Sequence, residues 1–153
     1  MELATAKRVA IELLDKHELL SLGWCFEFDN SKRRLGCCKH RIKTITFSKN
    51  YRPLVDVEEF TDTMLHEIAH ALVGHGHGHD SVWKRKAIEI GCNGKRLYSG
   101  DKKVEGKYAA TCHKCGTVYY KHRITSRNRN QSCGKCSCGR YNPEFLLVFK
   151  EVA

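Results

Sequence analysis

The chain of 153 residues carries 27 Lys and Arg against 17 Asp and Glu, a formal net charge of +10, and is 41% hydrophobic; its length suits one core burying about two-thirds of its unfolded surface, with a small appendage. No stretch approaches the roughly 20 apolar residues of a membrane-spanning helix, and Met1-Glu2-Leu3-Ala4 lacks the charged start and long apolar run of a secretory signal. The nine cysteines therefore read as intracellular thiols and metal ligands, not a secreted disulfide framework, and a cytoplasmic location, nuclear in a eukaryote, is expected.

In chain order, Leu3, Ala6, Ala10, Leu13 and Leu20 mark an N-terminal amphipathic helix, and Trp24, Phe26 and Phe28 alternate as a half-buried strand. A hairpin is expected next, with its turn near Asn30-Ser31-Lys32 and a return over Arg34 to Cys38. A further strand follows from Arg41 to Ser48, carrying Ile45 and Phe47. Cys25, Cys37, Cys38 and Cys92 read as small core or surface thiols, although Cys37, Cys38 and His40 also make a conceivable metal set.

Asp56 to Val73 reads as a helix, opened by a capping box of Asp56 with Glu59 and striped by Val57, Phe60, Met64, Ile68 and Leu72. It contains His66-Glu67-Ile68-Ala69-His70. Residues four apart share a helix face, so His66 and His70 can offer two imidazoles to one zinc ion with Glu67 beside them as a general base. The competing interpretation is two ordinary polar histidines on a half-buried helix. A catalytic zinc needs three protein ligands and an open position, and Gly74-His75-Gly76-His77-Gly78-His79 supplies three candidates. His79 is favoured over His77 and His75, because it precedes Asp80, a good N-cap for a second helix carrying Trp83, Ala87 and Ile90. Zinc held by His66, His70 and His79 lowers the pKa of water toward about 7 and polarises a scissile carbonyl, while Glu67 moves the proton. Tyr98 or a nearby arginine is a candidate for steadying the oxyanion.

After a basic connector, Cys112-His113-Lys114-Cys115 and Cys133-Gly134-Lys135-Cys136 form two C-x2-C pairs at the spacing of a four-cysteine zinc ribbon. Short β-type runs, Thr117 to Lys121 and Phe145 to Phe149, flank them, with Gly116 and Gly134 permitting tight turns. Four thiolates close the coordination shell, which makes this a structural zinc. Cys138 competes with Cys136 for the fourth place, and Cys136 is preferred because it keeps the knuckle spacing.

Charge is uneven. Asp56 to His79 carries five acids and no Lys or Arg, whereas Lys107 to Ala153 carries nine bases against Glu144 and Glu151. Cations beside Tyr119, Tyr120 and Tyr141, helped by Lys32-Arg33-Arg34 and Lys84-Arg85-Lys86, suit phosphate contacts and base stacking without sequence preference, so DNA is an expected partner. The alternative is a solubilising surface.

The run Leu65 to Leu72, then Gly78-His79 with Trp83 four residues on, the upstream stretch Trp24 to Gly36, and the cysteine tail together resemble the SprT-like zinc metalloproteases, the group that includes Spartan. The resemblance spans nearly the whole chain. It implies an α+β architecture, a zincin-like core with a small, mainly antiparallel sheet over residues 1–106 and a zinc ribbon over 107–153. It further implies a zinc endopeptidase with one catalytic and one structural Zn2+, acting on DNA-bound or DNA-crosslinked proteins. A zinc-stabilised nucleic-acid-binding adaptor without proteolysis is the rival from another class; it leaves Glu67 with no task beyond orienting a ligand.

Overall fold

The computed structural model describes residues 1–96 and 104–152, so Tyr98 lies outside the described residues. The chain is mixed α+β and divides into two compact units, Met1–Val104 and Glu105–Ala153. No helix among the described residues is long and apolar enough to cross a membrane.

In the first unit, helix α1 (Leu3–Lys16) buries Ala6, Ala10 and Leu14, four residues apart along one face. The buried stripe uses Leu14 where Leu13 was expected; Leu13 is partly buried and Leu3 exposed. Strands β1 (Cys25–Asp29), β2 (Gly36–Lys39) and β3 (Thr44–Ser48) form a sheet in the order β1-β3-β2. The expected hairpin between β1 and β2 does not form. β3 lies between them, parallel to β1 and antiparallel to β2, so this sheet is mixed and not mainly antiparallel.

The reason lies in β3 and the loop before β2. All five residues of β3 are buried, which only a central strand achieves here. Ile45 and Phe47 join the core, and the hydroxyls on the opposite face are all satisfied: Thr44 donates to the Ile42 carbonyl, Thr46 to Asp29 and Ser48 to the Ser31 carbonyl. Residues 30–35 bridge the end of β3, crossing the roughly 9–10 Å between strands two apart. Asn50 donates to the carbonyls of Asn30 and Ser31, and Arg34 is paired with Asp29. Arg41 and Ile42, expected in the strand, instead belong to a 3-10 turn, His40–Ile42, that closes with Lys43 at φ 45°.

Helix α2 (Val57–Val73) starts with the expected capping box, Asp56 accepting from the Glu59 N–H while Glu59 reaches back to Asp56. It packs two ways. Phe60, Met64 and Ile68 meet α1 and the sheet, whereas Leu65 and Ala69 meet Trp83, Ala87 and Cys92 around helix α3 (Ser81–Glu89). Gly74 (φ 84°) and Gly76 (φ 108°) turn the chain back in conformations that a β-carbon disfavours, and Asp80 caps α3 by accepting from the Trp83 N–H.

The second unit holds strands β4 (Tyr108–Thr111), β5 (Val118–Lys121) and β6 (Lys150–Glu151) in the order β5-β4-β6, with a single helical turn, α4 (Ser126–Arg129). The last expected strand shifts: Pro143–Phe145 is a 3-10 turn, Leu146 makes only an isolated bridge to Ser132, and regular pairing begins at Lys150. Gly106 is required by close approach, because a β-carbon there would sit 2.6 Å from the backbone of Lys121.

Candidate metal centre

Three imidazoles converge where α2 faces the start of α3. His79 Nε2 lies 2.9 Å from His66 Nε2 and 3.2 Å from His70 Nε2. The Lys95 backbone carbonyl lies within hydrogen-bonding reach of the His66 ring, and the His77 carbonyl within reach of the His70 ring. In a neutral ring each Nε2 is then a lone pair, and the single Nε2–H that His79 can hold serves one neighbour only. Three ring nitrogens facing one another this closely suit a shared cation. The neutral imidazole is also the metal-binding form, and burial, reinforced by the neighbouring histidines, pushes both His66 and His70 down to about 4. His79 is lowered by burial and by Arg96. His66, His70 and His79 thus form a group able to hold one metal ion.

Trp83, 1% exposed, makes the floor. Its ring stacks on His70 at 5.2 Å and meets His66 and His79 at 4.6 Å each. The other two loop histidines stand apart from the triad. His77 pairs with Asp80 at 2.8 Å and contributes its carbonyl, not its ring; His75 packs edge-on against His40 at 5.9 Å. Cys38 Sγ approaches His40 Nε2 at 3.6 Å, but Cys37 turns toward the Cys38 carbonyl, so the three do not gather as a metal set.

Glu67 is 9% exposed and faces the same cleft, a space of about 490 Å³ walled by Gly36, Cys37, Cys38 and His40 on one side and by the His75–Gly78 loop on the other. Burial raises its carboxyl to about 7, against the opposing pull of a hydrogen bond from the Cys38 N–H and of the Arg34 charge. A β-carbon on Gly36 would lie 2.9 Å from Glu67 Cγ and 3.0 Å from Oε1. Sequence reasoning missed both this glycine's contact and the Lys95 carbonyl, because neither has a local pattern: each depends on a strand or loop distant in sequence reaching α2.

In the second unit Cys112, Cys115, Cys133 and Cys136 gather their sulfurs within 4.8 Å of one another. The pairs Cys112–Cys136 at 3.8 Å and Cys115–Cys133 at 3.7 Å are far beyond a disulfide bond of ~2.05 Å. They match the ~3.8 Å edge of a tetrahedron with metal–sulfur distances of ~2.3 Å. Cys138 is exposed, in the left-handed region at φ 51°, and outside the cluster. Cys112 and Cys133 are buried with Phe145 and Leu147. The Tyr119 hydroxyl lies 3.2 Å from Cys133 Sγ, and the Thr117 hydroxyl 3.3 Å from Cys115 Sγ. Tyr119 therefore faces the cysteines, while Tyr120 and Tyr141 are 50% and 59% exposed.

The family model described as SprT-like matches residues 11–113. The chain belongs to the SprT-like family. That match takes in the sheet, both metal-site helices and the first ribbon cysteine, and it stops short of Cys115, Cys133 and Cys136. None of the curated proteins matches this SprT-like chain.

Proposed function

We propose that the chain is a zinc-dependent endopeptidase acting on proteins bound or crosslinked to DNA. The observation that carries the reading is Glu67, a buried carboxyl next to His66 in the chain that lines the same open cleft as the converging rings of His66, His70 and His79. When bound by the three imidazoles, zinc supplies a Lewis acid for a carbonyl oxygen and lowers the pKa of water to about 7. Glu67 takes the proton from the attacking water and returns it to the departing amine nitrogen; a carboxyl lifted to about 7 is suited to both transfers near neutral pH. The Cys38 N–H holds the carboxylate in place, and the carbonyls of Lys95 and His77 fix the rings so that each Nε2 faces inward. Four thiolates on the second unit hold a structural zinc.

The DNA part rests on charge and exposure. The second unit presents Arg123, Arg127, Arg129, Lys135 and Arg140 to solvent, with exposed Tyr120 and Tyr141 available for stacking. The adaptor reading gives no account of a carboxyl buried at such cost beside the imidazoles. Glu67→Gln should retain both zincs and DNA affinity while cleavage of a DNA-bound protein falls about 10²- to 10⁴-fold; unchanged cleavage removes the peptidase reading. Arg127→Glu with Arg129→Glu should weaken DNA binding to all sequences alike and flatten its salt dependence by roughly 0.7–0.9 per lost phosphate contact. An unaltered slope leaves the ribbon's charge a solvated face.

A further inference from the structure

The segment after α3 passes close to His66, and its anchoring is unusually complete for an exposed loop. Asp62 lies on α2 four residues before His66, hence on the same face. Its Oδ1 accepts from the Asn93 backbone N–H at 2.8 Å and its Oδ2 from the Asn93 side-chain amide at 2.6 Å. The remaining polar atom of that side chain, Asn93 Oδ1, accepts from the Lys95 N–H at 2.8 Å. The carbonyl of the same Lys95 lies within hydrogen-bonding reach of the His66 ring. Cys92, 4% exposed, pegs the segment into the cluster of Leu65 and Trp83, and the chain bends at Gly91 (φ 95°) and Gly94 (φ 68°).

A carbonyl in a helix or sheet is held by its ladder; that of Lys95 lies in neither, so its position depends on these anchors. We propose that Asp62 and Asn93 are positioning residues of the histidine site: their paired hydrogen bonds hold the Lys95 carbonyl where it fixes the His66 ring, and thereby set the site's affinity for metal. The inference rests on the reading of His66, His70 and His79 as zinc ligands. Partners that orient a ligating histidine in this way are worth about 10- to 100-fold in metal affinity.

The test is competition for zinc between the full chain and a chelator of known affinity, with the ribbon's zinc as an internal count, and thermal unfolding of the same proteins measured alongside. Asp62→Asn opposes amide to amide, and Asn93→Asp opposes carboxylate to carboxylate. Each alone should weaken zinc binding at the histidine site about 10- to 100-fold and leave the ribbon loaded. The double variant Asp62→Asn/Asn93→Asp puts the side-chain donor on α2 and the acceptor in the loop, so every hydrogen bond can re-form, one of them reversed, and affinity should recover. Single variants that unfold at lower temperature yet bind zinc with wild-type affinity would show a merely structural clip and overturn the proposal. So would a double variant as weak as the singles. Should wild type and His66→Ala carry the same metal count, the ligand assignment itself has failed, a result told apart from the others before any clip variant is compared.

Discussion

The chain gathers two sets of metal-binding donors by opposite means, and the contrast separates a closed site from one open to a substrate. The cysteines sit on two knuckles, with Cys112 and Cys133 buried and the hydroxyls of Thr117 and Tyr119 beside two sulfurs. Four thiolates leave no position for a substrate. The histidines number three, His79 is exposed, and the rim of their cleft includes Gly76 and Gly78, which bring no side chains to block it. In the same cleft stands Glu67, a buried carboxyl for which the cysteine cluster has no counterpart. Closure marks the first site, and an open cleft with a buried carboxyl marks the second.

Removing one ligand from each site should break the comparison most sharply. His70→Ala should lose one zinc of two and all hydrolysis, yet keep the fold, because α2 is anchored in the core through Phe60, Met64 and Ile68. Cys133→Ser should unfold the second unit, whose small core around Ala110, Phe145 and Leu147 includes the cysteines themselves, since metal binding supplies most of the folding free energy of such a unit. The histidine site should stay loaded. Metal analysis with circular dichroism checks both, and loss of both zincs from either variant would mean that the sites are not independent.

The local half of this contrast was legible in the chain. The capping box at Asp56, the H-E-x-x-H spacing, the Asp80 cap that singles out His79, and the paired C-x2-C knuckles are each written within about five residues, where periodicity and hydrogen-bond chemistry act directly. What was not legible involves partners distant in sequence. The place of β3 between β1 and β2 depends on which strand can bury both faces, a question that alternation within Trp24, Phe26 and Phe28 does not address. The Lys95 carbonyl on His66 and the Gly36 backbone against Glu67 arise from loops and strands folding onto α2, and Tyr119 looked like a stacking surface until β5 turned it toward Cys133.

Gly36 offers a smaller but more selective perturbation. In Gly36→Ala the new β-carbon would meet Glu67 Cγ at 2.9 Å, Oε1 at 3.0 Å and Thr63 Cγ2 at 3.1 Å, so the Glu67 carboxyl or the strand must shift by several tenths of an ångström. Misplacement of a reacting group by about 1 Å can cost about 10²-fold, and kcat should fall by up to that factor with both zincs retained. Overpacking should also lower stability by about 1–3 kcal/mol. Steady-state kinetics at full metal loading checks this; an unchanged kcat would show that Glu67 has more room than its burial implies.

The smallest expected effect is in the pH dependence of protein stripped of metal at the histidine site alone, as a mild chelator should leave it. His66 and His70 fall from an ordinary 6.5 to about 4 in the fold, so between those values the unfolded chain binds protons that the folded chain refuses, and stability is lost as pH drops below about 6.5. His79, also lowered, adds to the same side. Glu67 acts in the other direction: raised from 4.5 to about 7, it keeps its proton in the fold, and stability is lost as pH rises through that window. The imidazoles outnumber the carboxyl, so the stripped protein should gain stability from about pH 4.5 to 6.5 and level off toward 7. Glu67→Gln should steepen the rise, since the carboxyl that opposes the histidines no longer titrates. Thermal unfolding across pH 4.5 to 7.5 measures both curves. A rise no steeper in Glu67→Gln than in wild type would leave the carboxyl without the raised value that suits it to act as a base.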